Sequence, residues 1–303
     1  MKKTPVLVIM AAGLGSRYGG LKQLDAMDEH GHCLIDYAVF DAKRAGFETV
    51  FFIIREENQA DFHERIGKRM TASMDVSYVY QDMKNLPEGF TLPEGRQKPL
   101  GTGHAVWCCR ERVDAPFVAI NADDYYGMDA YAQMFDYLSG LPAKETASYA
   151  MAGFRLDRTL SENGTVARGI CRTKDGCLLS VEEHTSIGRQ NGNICCEGTV
   201  FDPDTIVSMN MWGFTPDIFS ALDEGLRRFL SEEMLHNPQK SEYYLPVEVG
   251  RLLAEERIRV RVLPVEEQWY GVTYQADKPL VQAALGRMRQ EGIYPEYLWE
   301  GHV

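Results

Sequence analysis

Gly13 and Gly15, then Arg17 and Lys22, follow one another in a short loop that begins where the apolar run "VLVIM" (Val6–Met10) stops. Glycines let a ligand lie against bare backbone, a guanidinium forks onto phosphate oxygens, and an ammonium acts as a compact point charge. The combination suits a polyphosphate whose charge grows as a bond breaks. Two common phosphate motifs do not fit. Tyr18 stands where a dinucleotide fingerprint needs its third glycine, and Gly20-Leu21-Lys22-Gln23 lacks the Gly-Lys-Ser/Thr of a Walker A loop. At mid-chain, "PFVAINADDYYG" ends a second apolar run in Asp123 and Asp124. A strand continuing through the pair would point the two carboxylates oppositely.

These residues need elements to hold them. Val6–Met10 reads as a strand buried on both faces of a parallel sheet. "CLIDYAVFDAKRAGF" has helical apolar spacing ended by Gly46, "TVFFIIR" and "VSYVYQ" read as strands, and "NQADFHERIGKRM" as the helix between them. The opening third is thus β-α-β-α-β, a doubly wound α/β pattern. Proline and glycine between Asp82 and Pro99 predict a loop, and "GTGHAVWCCRERV" a helix entered through glycines. A helix is expected around Ala130–Leu138 and a strand at "SYAMAGFRL", and the second half turns antiparallel, with a hairpin at Asp175-Gly176. "KPLVQAALGRMRQEGI" is a closing helix.

The chain has 303 residues, 45% of them hydrophobic and 25% charged, which is ample for a core in one main domain. Its 32 basic and 44 acidic residues leave a net charge of −12 spread along the sequence, so nucleic acid and anionic membrane are not expected partners. Phosphates would then bind through a local nest of backbone N–H groups, a few basic side chains and a divalent cation. No apolar run approaches the ~20 residues that span a bilayer, and seven cysteines without a secreted framework suit a reducing cytoplasm. His30, His32 and Cys33 have spacing a transition metal could use, although a polar turn around Gly31 is the simpler reading.

The segment "AAGLGSRYGGLKQL" resembles the glycine-arginine-lysine signature that opens the sugar-1-phosphate nucleotidylyltransferase (NDP-sugar pyrophosphorylase) superfamily, and four further stretches agree in order: "VYQ", "PLGTGHAV", "PFVAINADDYYG" and the hairpins "GTVARGICRTKDGCLLSVEEHTS" with "SMNMWGF". The resemblance implies a doubly wound, mostly parallel mixed sheet with antiparallel sugar-side hairpins. It divides the chain into a nucleotide-binding half (1–130), an acceptor-binding half (131–275) and a C-terminal helical segment (276–303). It implies that Gly13, Gly15 and Arg17 hold a triphosphate, that Lys22 contacts the reacting phosphates, and that Gln81, Gly101 and Thr102 meet base and ribose. Asp123 would bind Mg²⁺, with Arg17, Lys22 and Asp123 as the catalytic set and Glu183 and Asn210 as acceptor contacts. The activity implied is Mg²⁺-dependent transfer of a nucleotidyl group from UTP, dTTP or CTP to a sugar 1-phosphate, releasing pyrophosphate. Cytidylyl transfer to an alcohol phosphate such as phosphocholine, or a non-catalytic nucleotide-sugar sensor, are the alternatives. Self-association is left open.

The resemblance also departs from the family in places. Sugar-accepting members usually close the metal site with an aspartate in Trp-x-Asp, whereas this chain reads Trp269-Tyr270-Gly271, leaving Asp277, Glu267 and Asp124, or water and phosphates alone, to complete it. His184 follows Glu183 where a lysine is common. Tyr243, Tyr244, Trp212 and Trp269 could stack on an acceptor, although such aromatics are mostly core.

Overall fold

A computed structural model describes residues 3–13, 25–142 and 145–299. The apolar runs become strands β1 (Val6–Met10), β2 (Thr49–Ile54), β3 (Asp75–Tyr80) and β4 (Phe117–Asn121), all parallel, in the spatial order β4-β1-β2-β3. Successive residues of a strand face opposite sides, so Leu7 and Ile9 enter one hydrophobic core while Val6 and Val8 enter the other. Both faces are therefore covered, which is why these strands carry no polar alternation. Each fully buried aliphatic side chain contributes about 1.5–3 kcal/mol.

Helix α1 (Leu34–Ala45) ends at Gly46, whose φ of 112° a β-carbon would strain and whose missing β-carbon leaves room for the Phe135 ring. Helix α2 covers residues 59–70 and is interrupted by a π turn at His63–Gly67. Helix α3 (Thr102–Trp107) starts at Gly101, as the glycine entry predicts. The excursion from Asp82 to Pro99 has no helix or strand, and the buried Arg96 ties it down by donating to the carbonyls of Lys98, Pro99, Pro238 and Ser241.

The chain continues through β5 (Asp124–Tyr125), helix α4 (Met128–Gly140) and β6 (Ser148–Arg155). The hairpin is β7 (Val166–Lys174) and β8 (Cys177–Gln190), turned through Asp175 and Gly176 with φ of 52° and 73°. Positive φ at both central turn residues matches the right-handed twist of the flanking strands. After β9 (Asn193–Cys196), β10 (Thr199–Phe201) and β11 (Ile206–Phe214) come helices α5 (Ile218–Arg228) and α6 (Leu245–Ala254), β12 (Arg259–Val265), β13 (Tyr270–Gly271) and helix α7 (Lys278–Gln290).

Among the described residues eleven strands form one mixed sheet in the order β10-β9-β8-β12-β6-β11-β4-β1-β2-β3, with β7 against β11 and β8; β5 and β13 make a separate pair. From β1 the chain moves out to β2 and β3, then returns to the other side of β1 as β4. The strand order reverses between β1 and β4, and the crevice beyond their carboxyl ends is where open α/β sheets take ligands. Met10 registers with Asn121 there, so the glycine loop leaves the sheet beside the strand that carries the aspartates. Among the described residues no helix is long and apolar enough to cross a membrane.

Candidate active site

Beyond the end of β4 lies a cavity of about 680 Å³ whose walls include Thr102, Asp123, Asp124, Arg168, Glu183 and Asn210. Four of the residues singled out in the sequence, Thr102, Asp123, Glu183 and Asn210, thus meet in one space. β4 stops at Asn121 and the chain turns before β5, so the expected opposition of Asp123 and Asp124 does not arise. Both carboxylates reach the same cavity because the strand alternation is broken between them.

Asp124 is 8% exposed and is held by its neighbours. Asn121 Nδ2 donates to its Oδ2 at 2.8 Å, and the Tyr126 hydroxyl lies 3.1 Å from the same oxygen. Burial, and then the adjoining Asp123 charge, push its pKa up to about 7 against these hydrogen bonds and the positive field of Arg168. Asn121 Oδ1 in turn accepts from Asn210 Nδ2 at 2.7 Å, and Asn210 Oδ1 accepts from Trp212 Nε1 at 2.9 Å. A line of side chains therefore runs from the core tryptophan to the carboxylate. Asn210 can join it because the β11–β6 register shifts between Ser208 and Trp212 and Asn210 adopts φ 62°. An irregularity of this kind re-aims a side chain, and it has no local signature in "SMNMWGF".

Arg168 carries no signal of its own in the sequence. It is 6% exposed, donates through Nε and Nη2 to Thr159 O and through Nη1 to Ala167 O, and places its guanidinium carbon 4.7 Å from the centre of the Trp269 ring. Burial lowers its pKa to about 10 while Asp124 and Glu183 oppose the shift, so the cation persists at neutral pH. An arginine in an alternating hairpin looks like a solvated residue, and the Thr159 and Ala167 carbonyls together with the Trp269 ring hold it inward. Burial raises the Glu183 pKa above the usual carboxylate value, with Arg168 opposing the shift. The indole Nε1 of Trp269 is buried without a hydrogen-bond partner in the wall shared by this cavity and a neighbouring one.

Gln81 follows β3 and donates from Nε2 to Gly101 O at 3.0 Å, with His104 Nδ1 at 3.4 Å. His104 Nε2 sits 2.8 Å from Asn85 O, and burial drops its pKa to about 4, so it is a neutral ring that donates to Asn85 and offers Nδ1 as acceptor. The amide nitrogen of Gln81 is thereby engaged and its Oε1 remains. Gly101 (φ 100°) and Gly103 lie against Tyr243, whose backbone a β-carbon on Gly101 would strike at 2.7 Å. Thr102 Oγ1 accepts from Leu245 N at 3.0 Å, leaving its own proton to donate. Gly13 is exposed past the end of β1; Gly15, Arg17 and Lys22 lie outside the described residues.

Of the three candidates for a second metal-binding carboxylate, two are occupied elsewhere. Asp277 accepts from Ser161, Asn163 and the Tyr274 N–H, and Glu267 accepts from Asp129 N at the start of α4. Asp124 remains, and Gly271 pairs directly with it: a β-carbon there would come 3.1 Å from Asp124 Oδ1 and 2.3 Å from the Trp269 ring. Asp124 and Trp269 fill the space that a side chain at 271 would need. Among the described residues no group of three or more His, Cys, Asp and Glu is placed around one point. One or two carboxylates with substrate oxygens and water is the usual Mg²⁺ arrangement, and the Asp123–Asp124 pair fits it. The aromatics divide: Tyr244 and Trp269 line the cavity, while Tyr243 and Trp212 are core. His184 packs edge-on against Phe201.

Residues 6–186, more than half of the chain, match a family model described as nucleotidyl transferase. The UTP-glucose-1-phosphate uridylyltransferase of Bacillus subtilis (strain 168) is 25% identical over 174 residues, which are 50% of this chain and 59% of that protein, so the match spans less than two thirds of the relative's length. Similar solved structures share the fold. A UDP-glucose pyrophosphorylase complexed with UDP-glucose is 18% identical with a TM-score of 0.57, covering 95% of this chain and 100% of the other. The inositol-1-phosphate CTP transferase from T. maritima is 11% identical with a TM-score of 0.62, covering 96% and 98%. A putative glucose-1-phosphate thymidylyltransferase from Bacillus anthracis in complex with a sucrose is 14% identical with a TM-score of 0.59, covering 92% and 94%.

Proposed function

The chain belongs to the nucleotidyl transferase family, and from that premise we propose that it joins UTP, dTTP or CTP to a sugar 1-phosphate and releases pyrophosphate. The observation that carries this reading is the meeting of Asp123, Asp124, Thr102, Glu183 and Asn210 in one cavity at the strand-order reversal. An acceptor phosphate oxygen attacks the α-phosphorus in line and pyrophosphate leaves, so no covalent enzyme intermediate is required. The difficulty is to align two anions that repel each other.

In this reading Asp123, with Asp124 beside it, would hold Mg²⁺, which when bound neutralises phosphate charge. Gly13 and Gly15 offer backbone to the triphosphate, and Arg17 and Lys22 offset its charge. Gln81 accepts a base N–H on the Oε1 that its own contacts leave free, and Thr102 and Gly101 border the ribose. Glu183 and Asn210 face the acceptor hydroxyls, with Arg168 fixing the charge behind them.

A panel of nucleoside triphosphates crossed with phosphorylated acceptors, including sugar 1-phosphates and phosphocholine, tests the reading by pyrophosphate release with and without Mg²⁺. One pairing is expected to release pyrophosphate only with the cation, and Arg17→Ala is expected to lose it while staying folded. A protein that is stabilised thermally by nucleotide sugars yet releases nothing in any pairing is a sensor, which contradicts the proposal.

A further inference from the structure

The second cavity that the catalytic reading leaves unexplained lies against α2 and has a volume of about 380 Å³. His30, Arg65, Lys68, Arg69, Tyr297 and Trp299 line it, and it shares no lining residue with the cavity at β4. Three cations on one helix converge there, although the chain carries a net charge of −12. The helix segment that delivers them contains the π turn His63–Gly67, an uncommon distortion that recurs at functional sites. Gly67 at its end leaves room for the Tyr78 hydroxyl, which a β-carbon there would approach to 1.9 Å.

Arg69 Nε and His30 Nε2, on two residues of this wall, are buried without a hydrogen-bond partner. Buried polar groups are satisfied in the great majority of cases, so each is a spare hydrogen-bonding group beside the cavity. The carboxylates nearest His30 Nε2, on Glu29 and Glu296, stand at 3.6 and 4.0 Å, beyond hydrogen-bond reach. Arg69 is already oriented by Asp36 and Gly31 O, and His32 is oriented by Asp28 at 2.8 Å, so this part of the wall is fixed in advance. Among the described residues Lys68 and Arg65 pair with the exposed Glu64 and Asp61, at 2.7 and 3.8 Å, and such surface pairs exchange partners at little cost. His30 packs on Tyr297 with ring centres 4.3 Å apart and the planes tilted by 46°, and Trp299 is anchored through Nε1 to Asp36 Oδ1 at 2.8 Å, which gives the cavity an aromatic side.

We propose that this cavity is a second anion site, which takes the phosphoryl group of a small phosphorylated molecule between His30, Arg69, Arg65 and Lys68. A phosphate presents several acceptor oxygens to four groups that can donate, and charge-assisted bonds of this kind favour guanidinium and ammonium donors.

The full-length protein is titrated with inorganic phosphate at constant ionic strength while its histidine ring signals are followed by NMR, the His30 signal being assigned by its loss in His30→Gln. The His30 signal is expected to move and saturate in the wild type. It should saturate in the same way in Asp123→Asn, and need at least about tenfold more phosphate in the double variant Arg65→Gln, Lys68→Gln. A His30 signal that does not saturate by about 20 mM phosphate, or one that saturates identically in the double variant, overturns the proposal, as does a response that Asp123→Asn abolishes. Both substituted cations are solvent-exposed, so loss of folding is not a confounding result.

Discussion

The cavity at the end of β4 is walled by Asp123, Asp124 and Glu183 around one buried arginine, whereas the cavity against α2 is walled by Arg65, Lys68 and Arg69 beside one glutamate. The two are opposite in sign, and the difference bears on what each can hold. A phosphate entering the first meets carboxylates and needs a cation brought with it. A phosphate entering the second meets its donors directly. The acidic cavity is therefore suited to conditional binding, as a reaction that must bring two anions together requires, and the basic one to unconditional binding.

Asp123→Asn should break the contrast most. Removing the carboxylate that would hold the cation is expected to lower pyrophosphate release by about a hundredfold or more, read by kcat/KM, with an unchanged melting temperature. Arg168→Met comes next. It leaves the Thr159 and Ala167 carbonyls and the Asp124 and Glu183 charges without their buried partner, so denaturant unfolding should show a loss of about 2–4 kcal/mol. Gly271→Ala drives a methyl into the Trp269 ring and towards Asp124, and about 1–3 kcal/mol of destabilisation is expected together with a change in tryptophan fluorescence.

Per pH unit, the smallest effect concerns the C-terminal segment that closes the basic cavity. Asp41 is buried, which raises its pKa to about 7 despite the hydrogen bond from Tyr294 at 2.6 Å. Its folded-state value lies above its unfolded one, so the native state holds the extra proton, and stability falls as pH rises from about 4 to about 7. Asp41→Asn should flatten that slope, which for one group cannot exceed about 1.4 kcal/mol per pH unit.

Much of the fold was legible because its strands are buried on both faces: "VLVIM" and "FVAIN" have no polar alternation, and the parallel β-α-β-α-β opening follows from them. Punctuation was legible for the same local reason, as at Gly46 and at Asp175-Gly176, where backbone conformation selects the residue. What was hidden depends on partners far along the chain. Arg168 turns inward beside Trp269, Asn210 reaches Asn121 through a register shift, and Asp124 joins Asp123 because β4 ends at Asn121 and the chain turns through residues 122–123. The basic cavity gathers segments near residues 30, 65–69 and 297–299, which no local pattern links; "DEHGHC" signals a polar turn or a transition-metal spacing, neither of which points to an anion.

Co-crystallisation with the reactive triphosphate and Mg²⁺ compares the two cavities in one experiment. The account predicts the metal about 2.1 Å from an Asp123 oxygen, with the α-phosphate beside it and the base near Gln81. Triphosphate bound only between Arg65, Lys68 and Arg69, with neither metal nor nucleotide at Asp123, would contradict it.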